Sequence, residues 1–392
     1  MEASADTRDR AARGTASRTL GHIPNRPAAR MPNRPAAAAN DAAGRAARGA
    51  LGRPSGRTPS RAPSRMPEGA LDPIPREGEV HVSGPDDAGL MTARLFAFNT
   101  AVSLSAYGDE PACRAAFSEA VAACRTYERL FSRTLPHSDI ARVNAAGGAR
   151  VRIDPRTFDL LTRALRYCAR SEGAFDVTVG PLVRLWDFRA GIAPDARALA
   201  QAAAHVGWEK LVLAEEPGTP ARHFAQLADE AAAVDVGGIA KGWVADELDA
   251  LMGARGLSGY IINLGGNVVV RGSKPGGAPW RVGVRNPNDP RRLAGAVPLA
   301  SGSAVTSGTY ERCFTAPDGT LCHHVLDPRT GMPVRTDAAS ATVIAEKSID
   351  AEGFSTTLLA LGTERGSALA RRCPEILQVV FVTDDGRVTT LR

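Results

Sequence analysis

Lysine is nearly missing from this 392-residue chain: Lys210, Lys241, Lys274 and Lys347 are four among 48 basic residues. A lysine beside a glycine-rich turn is therefore conspicuous. The six cysteines (Cys113, Cys124, Cys168, Cys313, Cys322, Cys373) form no C-x-x-C pair. Their spacing supports neither a zinc module nor a disulfide framework and reads as reduced or buried thiols. No window approaches the roughly 18 apolar residues of a membrane span. The N-terminus has no apolar signal-peptide core, and no cysteine for lipid attachment precedes Cys113, so as written the chain reads as soluble and non-exported, with its compartment left open. Walker A and G-x-G-x-x-G motifs are both lacking, which excludes the generic nucleotide fingerprints.

The net charge of +6 is unevenly spread. Residues 1–70 hold 13 arginines against Glu2, Asp6, Asp9, Asp41 and Glu68, a net of +8, so the remainder carries −2. A near-neutral folded part argues against a nucleic-acid-binding domain. The same segment is rich in Ala, Arg, Pro, Gly and Ser, repeats Pro-Asn-Arg-Pro-Ala-Ala at 24–29 and 32–37, and has few aliphatic or aromatic side chains. It buries too little apolar surface to offset its ordering entropy and reads as a disordered linker or a basic arm. The division expected is a disordered tail over 1–88 and one composite domain over 89–392.

Within that domain, alternation over 95–104 predicts a strand. Residues 110–132 predict a helix with Ala116, Ala120, Cys124, Tyr127 and Phe131 on one face. Further helices are expected at 156–171, at 195–206, from the glycine-rich loop 235–242 to about Arg255, and at about 352–362. Gly256 is the C′ residue of the fourth. Strands are expected at 260–264, 267–271, 280–285, 340–345 and 377–382. Strands and helices interleave without a regular βαβ period. This predicts an α+β fold with mixed, mostly antiparallel sheets flanked by helices.

Three constellations carry chemistry. At 235–242, Asp-Val-Gly-Gly-Ile-Ala-Lys-Gly closes an apolar run and opens a helix. Free N–H groups and Lys241 there suit a phosphate, while a turn capped by Asp235 explains the same residues. Glu352, Ser355 and Thr356 share one helix face at i, i+3 and i+4 and offer hard oxygens, as Mg²⁺ prefers; a polar first turn is the alternative. The run 322–333 sets His323 and His324 on a strand that breaks at Asp-Pro and Thr-Gly. Adjacent strand residues face opposite ways, so one histidine can serve a site as a base.

In this order the motifs resemble the ApbE family of FAD:protein FMN transferases, over roughly residues 92–388. The resemblance runs through 138–144, 173–183 with Trp186, 235–242, 263–267, 306–312, 324–331, 355–356 and 361–362. It implies an ApbE-like fold and Mg²⁺-dependent transfer of FMN from FAD to a Thr or Ser of an acceptor protein, with AMP leaving. It further implies flavin-nucleotide contacts at Phe98, Ala174, Phe175, Asp176, Asp235, Lys241 and Leu326. Metal ligands would be Glu352, Ser355, Thr356 and the Gly238 carbonyl, and His324 would activate the acceptor hydroxyl. Family members commonly act outside the cytoplasm, anchored to a membrane. A non-catalytic FAD-binding protein and an FAD pyrophosphatase are the alternatives on the same fold. Three positions depart from the family pattern. Its Met-Gly-Thr is Phe98-Asn99-Thr100 here, an aromatic after the first helix is Thr134, and its metal-binding Asp aligns with Glu352.

Overall fold

The computed structural model describes residues 18–20, 75–76, 78–257, 259–289 and 291–392. Its framework is a sheet of nine strands: β1 (Val80–Ser83), β2 (Leu90–Ala97), β3 (Thr100–Tyr107), β4 (Gly259–Leu264), β5 (Asn267–Arg271), β6 (Gly302–Gly308), β7 (Ala338–Ala345), β8 (Ile376–Thr383) and β9 (Val388–Leu391). Within this sheet the strands lie side by side in the order in which they occur in the chain, although strands of other sheets intervene in sequence. All of these ladders are antiparallel. The helices used below are α1 (Glu110–Phe131), α2 (Asp139–Ala145), α3 (Pro155–Arg170), α4 (Ala240–Ala254) and α5 (Ser348–Ala370), with shorter ones at Gly180–Val183 and Ala196–Ala203. The architecture is α+β and antiparallel, as the sequence leads one to expect.

Period-two alternation shows in the strand next to the sheet edge: Met91, Ala93, Leu95 and Ala97 of β2 are buried, and the residues between them are half-exposed. β7 is buried along its whole length because both of its faces are covered. Ala341 and Val343 join the core containing α1, α4 and α5. Ile344 joins a second cluster with Trp280, Val282, Val284 and Val297 of the hairpin Trp280–Arg285/Leu293–Leu299. A smaller antiparallel sheet aligns Arg18–Leu20, Leu211–Glu216, Arg222–Leu227 and Val151–Ile153 in that order.

Helix ends follow local chemistry. Asp109 and Asp154 accept from Ala112 N–H (3.1 Å) and Arg156 N–H (2.9 Å), with prolines in the first turns of α1 and α3. The expected apolar face of α1 is buried. At the end of α4, Gly256 has φ +76°. Gly256 N–H donates to Gly253 O (3.0 Å) and Leu257 N–H to Met252 O (3.3 Å), a Schellman stop.

Three expectations change. The run 95–104 is a hairpin rather than a strand, turning at Phe98 (φ +53°) and Asn99 (φ +57°). α5 begins at Ser348, so Glu352 lies in its second turn. Its first N–H groups are capped by another helix: Asp246 of α4 accepts from Ser348 N–H (2.8 Å) and Ile349 N–H (3.1 Å). Finally β1 pairs with β2 inside the segment assigned to the tail, which moves the start of the folded part upstream of residue 89. Apart from Arg18–Leu20, the expectation of a disordered tail over 1–70 lies outside the described residues.

Candidate active site

The loop 235–242 enters from an extended segment that Asn144 clamps, its amide bonding Val234 O (2.8 Å) and Val234 N–H (2.7 Å). Asp235 then turns the chain. Its Oδ1 accepts from Gly237 N–H (2.8 Å), and Oδ2 pairs with Arg133 Nε at 3.1 Å. Gly238 lies on the Phe175 ring, where an added Cβ would come within 3.0 Å of it. α4 starts without a side-chain cap of its own, which leaves Lys241 and Gly242 in its first turn. Gly242 is required by contact, since a Cβ there would meet Ile349 Cα and Ser348 O of α5 at 2.8 Å.

That close approach puts Glu352 of α5 against the start of α4. Its buried carboxylate receives the Lys241 ammonium, the Gly242 N–H and, at 3.3 Å, the Asn267 amide from β5. Asn267 is held in turn by Ser348 Oγ at 2.7 Å. One helical turn on, Ser355 and Thr356 meet Ser307 of β6, with hydroxyl separations of 2.9 and 3.1 Å. Ser307 lies in the 306–312 motif but carried no role in the sequence reading. A polar residue at a strand end, three before a Tyr-Glu-Arg run, is too common a pattern to single out. Among the described residues no group of three or more His, Cys, Asp or Glu side chains converges. An ion held here would therefore rest on one carboxylate, hydroxyls and a carbonyl, a hard-oxygen set that suits Mg²⁺ completed by phosphate and water.

His324 follows the short strand Leu321–His323. Its Nδ1 donates to Glu311 O at 2.8 Å, which leaves the lone pair of the neutral ring on Nε2. Burial, with further pressure from the Arg312, His323 and Lys241 charges, pushes its pKa down to about 4. His323 is instead buried against Val334 O (3.1 Å), so of the two histidines only His324 is presented. Leu326 is buried with Leu182, Trp186, Leu199 and Cys322, and Trp186 Nε1 donates to Gly331 O at 2.9 Å.

The structure thus brings Lys241, Glu352, Ser355 and Thr356 together, sets Gly238 on Phe175, and leaves His324 within reach of the Lys241 field. It treats Asp176 differently. Both of its carboxylate oxygens are engaged internally, by Thr178 N–H and Oγ1 (each 2.7 Å) and by Trp208 N–H (3.0 Å). Burial raises its pKa nonetheless. The carboxylate shapes the 174–178 loop, and Ala174 is the half-exposed residue there. Phe98 is half-buried at the hairpin turn, where its N–H donates to Glu128 Oε1 at 2.8 Å. Asp350, two residues before Glu352, accepts from Tyr167 OH at 2.6 Å and faces away from the site.

The antiparallel α+β fold matches those of solved ApbE proteins, a flavinyl transferase among them. The ApbE protein of Thermotoga maritima superposes with TM-score 0.69 at 26% identity, over 79% of this chain and 96% of that one. The flavinyl transferase ApbE of Pseudomonas stutzeri gives 0.64 at 29%, over 80% and 93%. In sequence, the FAD:protein FMN transferase of Treponema pallidum is 35% identical over 296 residues, 72% of this chain and 81% of the relative. The chain belongs to the ApbE family, whose model matches residues 98–381.

Proposed function

We propose that this chain is an FAD:protein FMN transferase that uses Mg²⁺ and passes the FMN half of FAD to a Thr or Ser hydroxyl of an acceptor protein. The observation that carries the reading is the convergence of Lys241, the Gly242 N–H, Glu352 and the Ser307–Ser355–Thr356 hydroxyls at one helix start, with neutral His324 beside them. Family membership and the name of the Treponema pallidum relative support it.

In this reading Phe98, Ala174, Phe175, Asp235 and Leu326 line the flavin-nucleotide path, and Asp176 keeps its loop in shape. Lys241 and the α4 N-terminus take the pyrophosphate, where helix-end N–H groups favour anions. Glu352, Ser355, Thr356 and the Gly238 carbonyl would hold Mg²⁺, which supplies charge neutralisation at the phosphates. The acceptor oxygen forms a bond to the FMN-side phosphorus as its proton passes to His324 Nε2. The phosphorus–oxygen bond to AMP breaks, and AMP leaves with the bridging oxygen and the electron pair. An in-line displacement needs little beyond alignment, a base and charge compensation. The test is incubation with FAD, Mg²⁺ and an acceptor bearing a target Thr or Ser. Covalent flavin fluorescence on a denaturing gel with equimolar AMP is expected. FMN and AMP released equally without acceptor would instead mark a pyrophosphatase, and FAD bound but never cleaved would mark a binding protein.

A further inference from the structure

The cation and the anion that this reading assigns to Mg²⁺ and pyrophosphate binding already neutralise one another. The Glu352 side chain is 4% exposed, and its Lys241 partner keeps 24%. The lysine has a way toward solvent and the carboxylate has none. A buried carboxylate deprived of its counter-charge is strongly destabilising. A divalent cation arriving alone must displace the ammonium and then sit beside it. Pyrophosphate arriving alone meets an ammonium whose charge is already spent. When both arrive, the metal replaces Lys241 on Glu352 and the pyrophosphate replaces Glu352 on Lys241, so one ion pair becomes two. The remaining partners of the carboxylate, the Gly242 N–H and the Asn267 amide, are neutral donors and cannot substitute for either charge.

We propose that the Lys241–Glu352 pair is a latch that makes a divalent cation and FAD bind cooperatively, each weakly alone and tightly together. The inference rests on the FAD–Mg²⁺ reading of the site. Coupling is reciprocal, so the factor by which FAD tightens the metal equals the factor by which the metal tightens FAD, about tenfold or more for a directly exchanged charge pair.

The experiment uses the full chain without acceptor. Mn²⁺ binding is followed by electron paramagnetic resonance, corrected for Mn²⁺ held by free FAD, and FAD binding by flavin fluorescence. Expected for the native protein are equal, at least tenfold, reductions in the Mn²⁺ and FAD dissociation constants when the other ligand is saturating. Lys241→Met is expected to bind Mn²⁺ more tightly than native protein when FAD is lacking, with less than a twofold further change when FAD is added. Native protein that binds FAD with an unchanged Mn²⁺ constant overturns the latch and leaves the FAD reading standing. Full coupling in Lys241→Met overturns it equally. No FAD binding at any Mn²⁺ concentration overturns the latch together with the function beneath it.

Discussion

At His324 the backbone selects the tautomer: the Glu311 carbonyl accepts a hydrogen bond from Nδ1–H, so Nε2 is the basic nitrogen. With the pKa pushed down to about 4, the ring is neutral throughout the physiological range. A base must be deprotonated to act, so FMN transfer is expected to fall only as pH drops through about 4, rather than near the usual 6.5 of histidine. A pH profile of single-turnover transfer checks this, and a limb near 6.5 would contradict it. His324→Ala is expected to slow transfer about 10²–10⁴-fold with FAD affinity little changed, measured by fluorescence titration. Asp176 leads to the opposite kind of prediction. Asp176→Asn turns one accepting oxygen into a donor facing Thr178 or Trp208 N–H, at a cost of about 1–3 kcal/mol in urea unfolding.

Among the elements, α5 shows why some of this structure was legible in the sequence and some was not. Helices with their own caps were read to within a residue or two, as at Asp109, Asp154 and Gly256. The sequence pattern places the start of α5 four residues late because nothing at Lys347 marks it, the cap being Asp246 from α4. The hairpin at 98–99 was read as one strand because its turn has no glycine. The complementary glycine is Gly265, where a Cβ would lie 2.1 Å from Thr100 Oγ1. β1 and the 211–227 hairpin gave no apolar run long enough to notice. Lys241, Glu352, Ser355 and Thr356, which the structure brings together, each stand in a linear motif that the sequence shows. The pairing of Lys241 with Glu352 was not legible, because it depends on two helices touching at Gly242. Asp246 also gives the α4–α5 contact a pH signature. Burial raises its pKa to about 6, well above its unfolded value near 3.8. The folded state therefore binds more protons between pH 4 and 6, and stability declines as pH rises across that window, by at most about 3 kcal/mol. Asp246→Asn keeps one acceptor and removes the titration, so its urea midpoint is expected to vary less with pH over the same range. Gly242→Ala would drive α4 and α5 apart, at about 1–3 kcal/mol, with Mn²⁺ and FAD binding lost together.

For the whole molecule, the antiparallel sheet and the covering helices agree with what interleaved strand and helix patterns imply, and the family fold agrees with the motif resemblance. No described helix is long and apolar enough to cross a membrane. Because the site joins α4, α5, β5 and β6, ligands that bind it should hold the domain together. FAD at about a hundredfold its dissociation constant, with Mg²⁺ present, is expected to add about 2.7 kcal/mol of stability, seen as a melting-temperature rise of several degrees. The rise should be much smaller with FAD or Mg²⁺ alone. The chain-ordered meander has a bearing on biosynthesis as well. As the polypeptide leaves the ribosome, β2 and β3 can close at once, but the edge of β3 waits for β4 until residues 108–258 have passed. Glu352, Ser355 and Thr356 emerge later still. A nascent chain stopped anywhere before them can own most of the sheet and still lack the residues proposed to hold the metal, so the proposed site is complete only once residue 356 has been made.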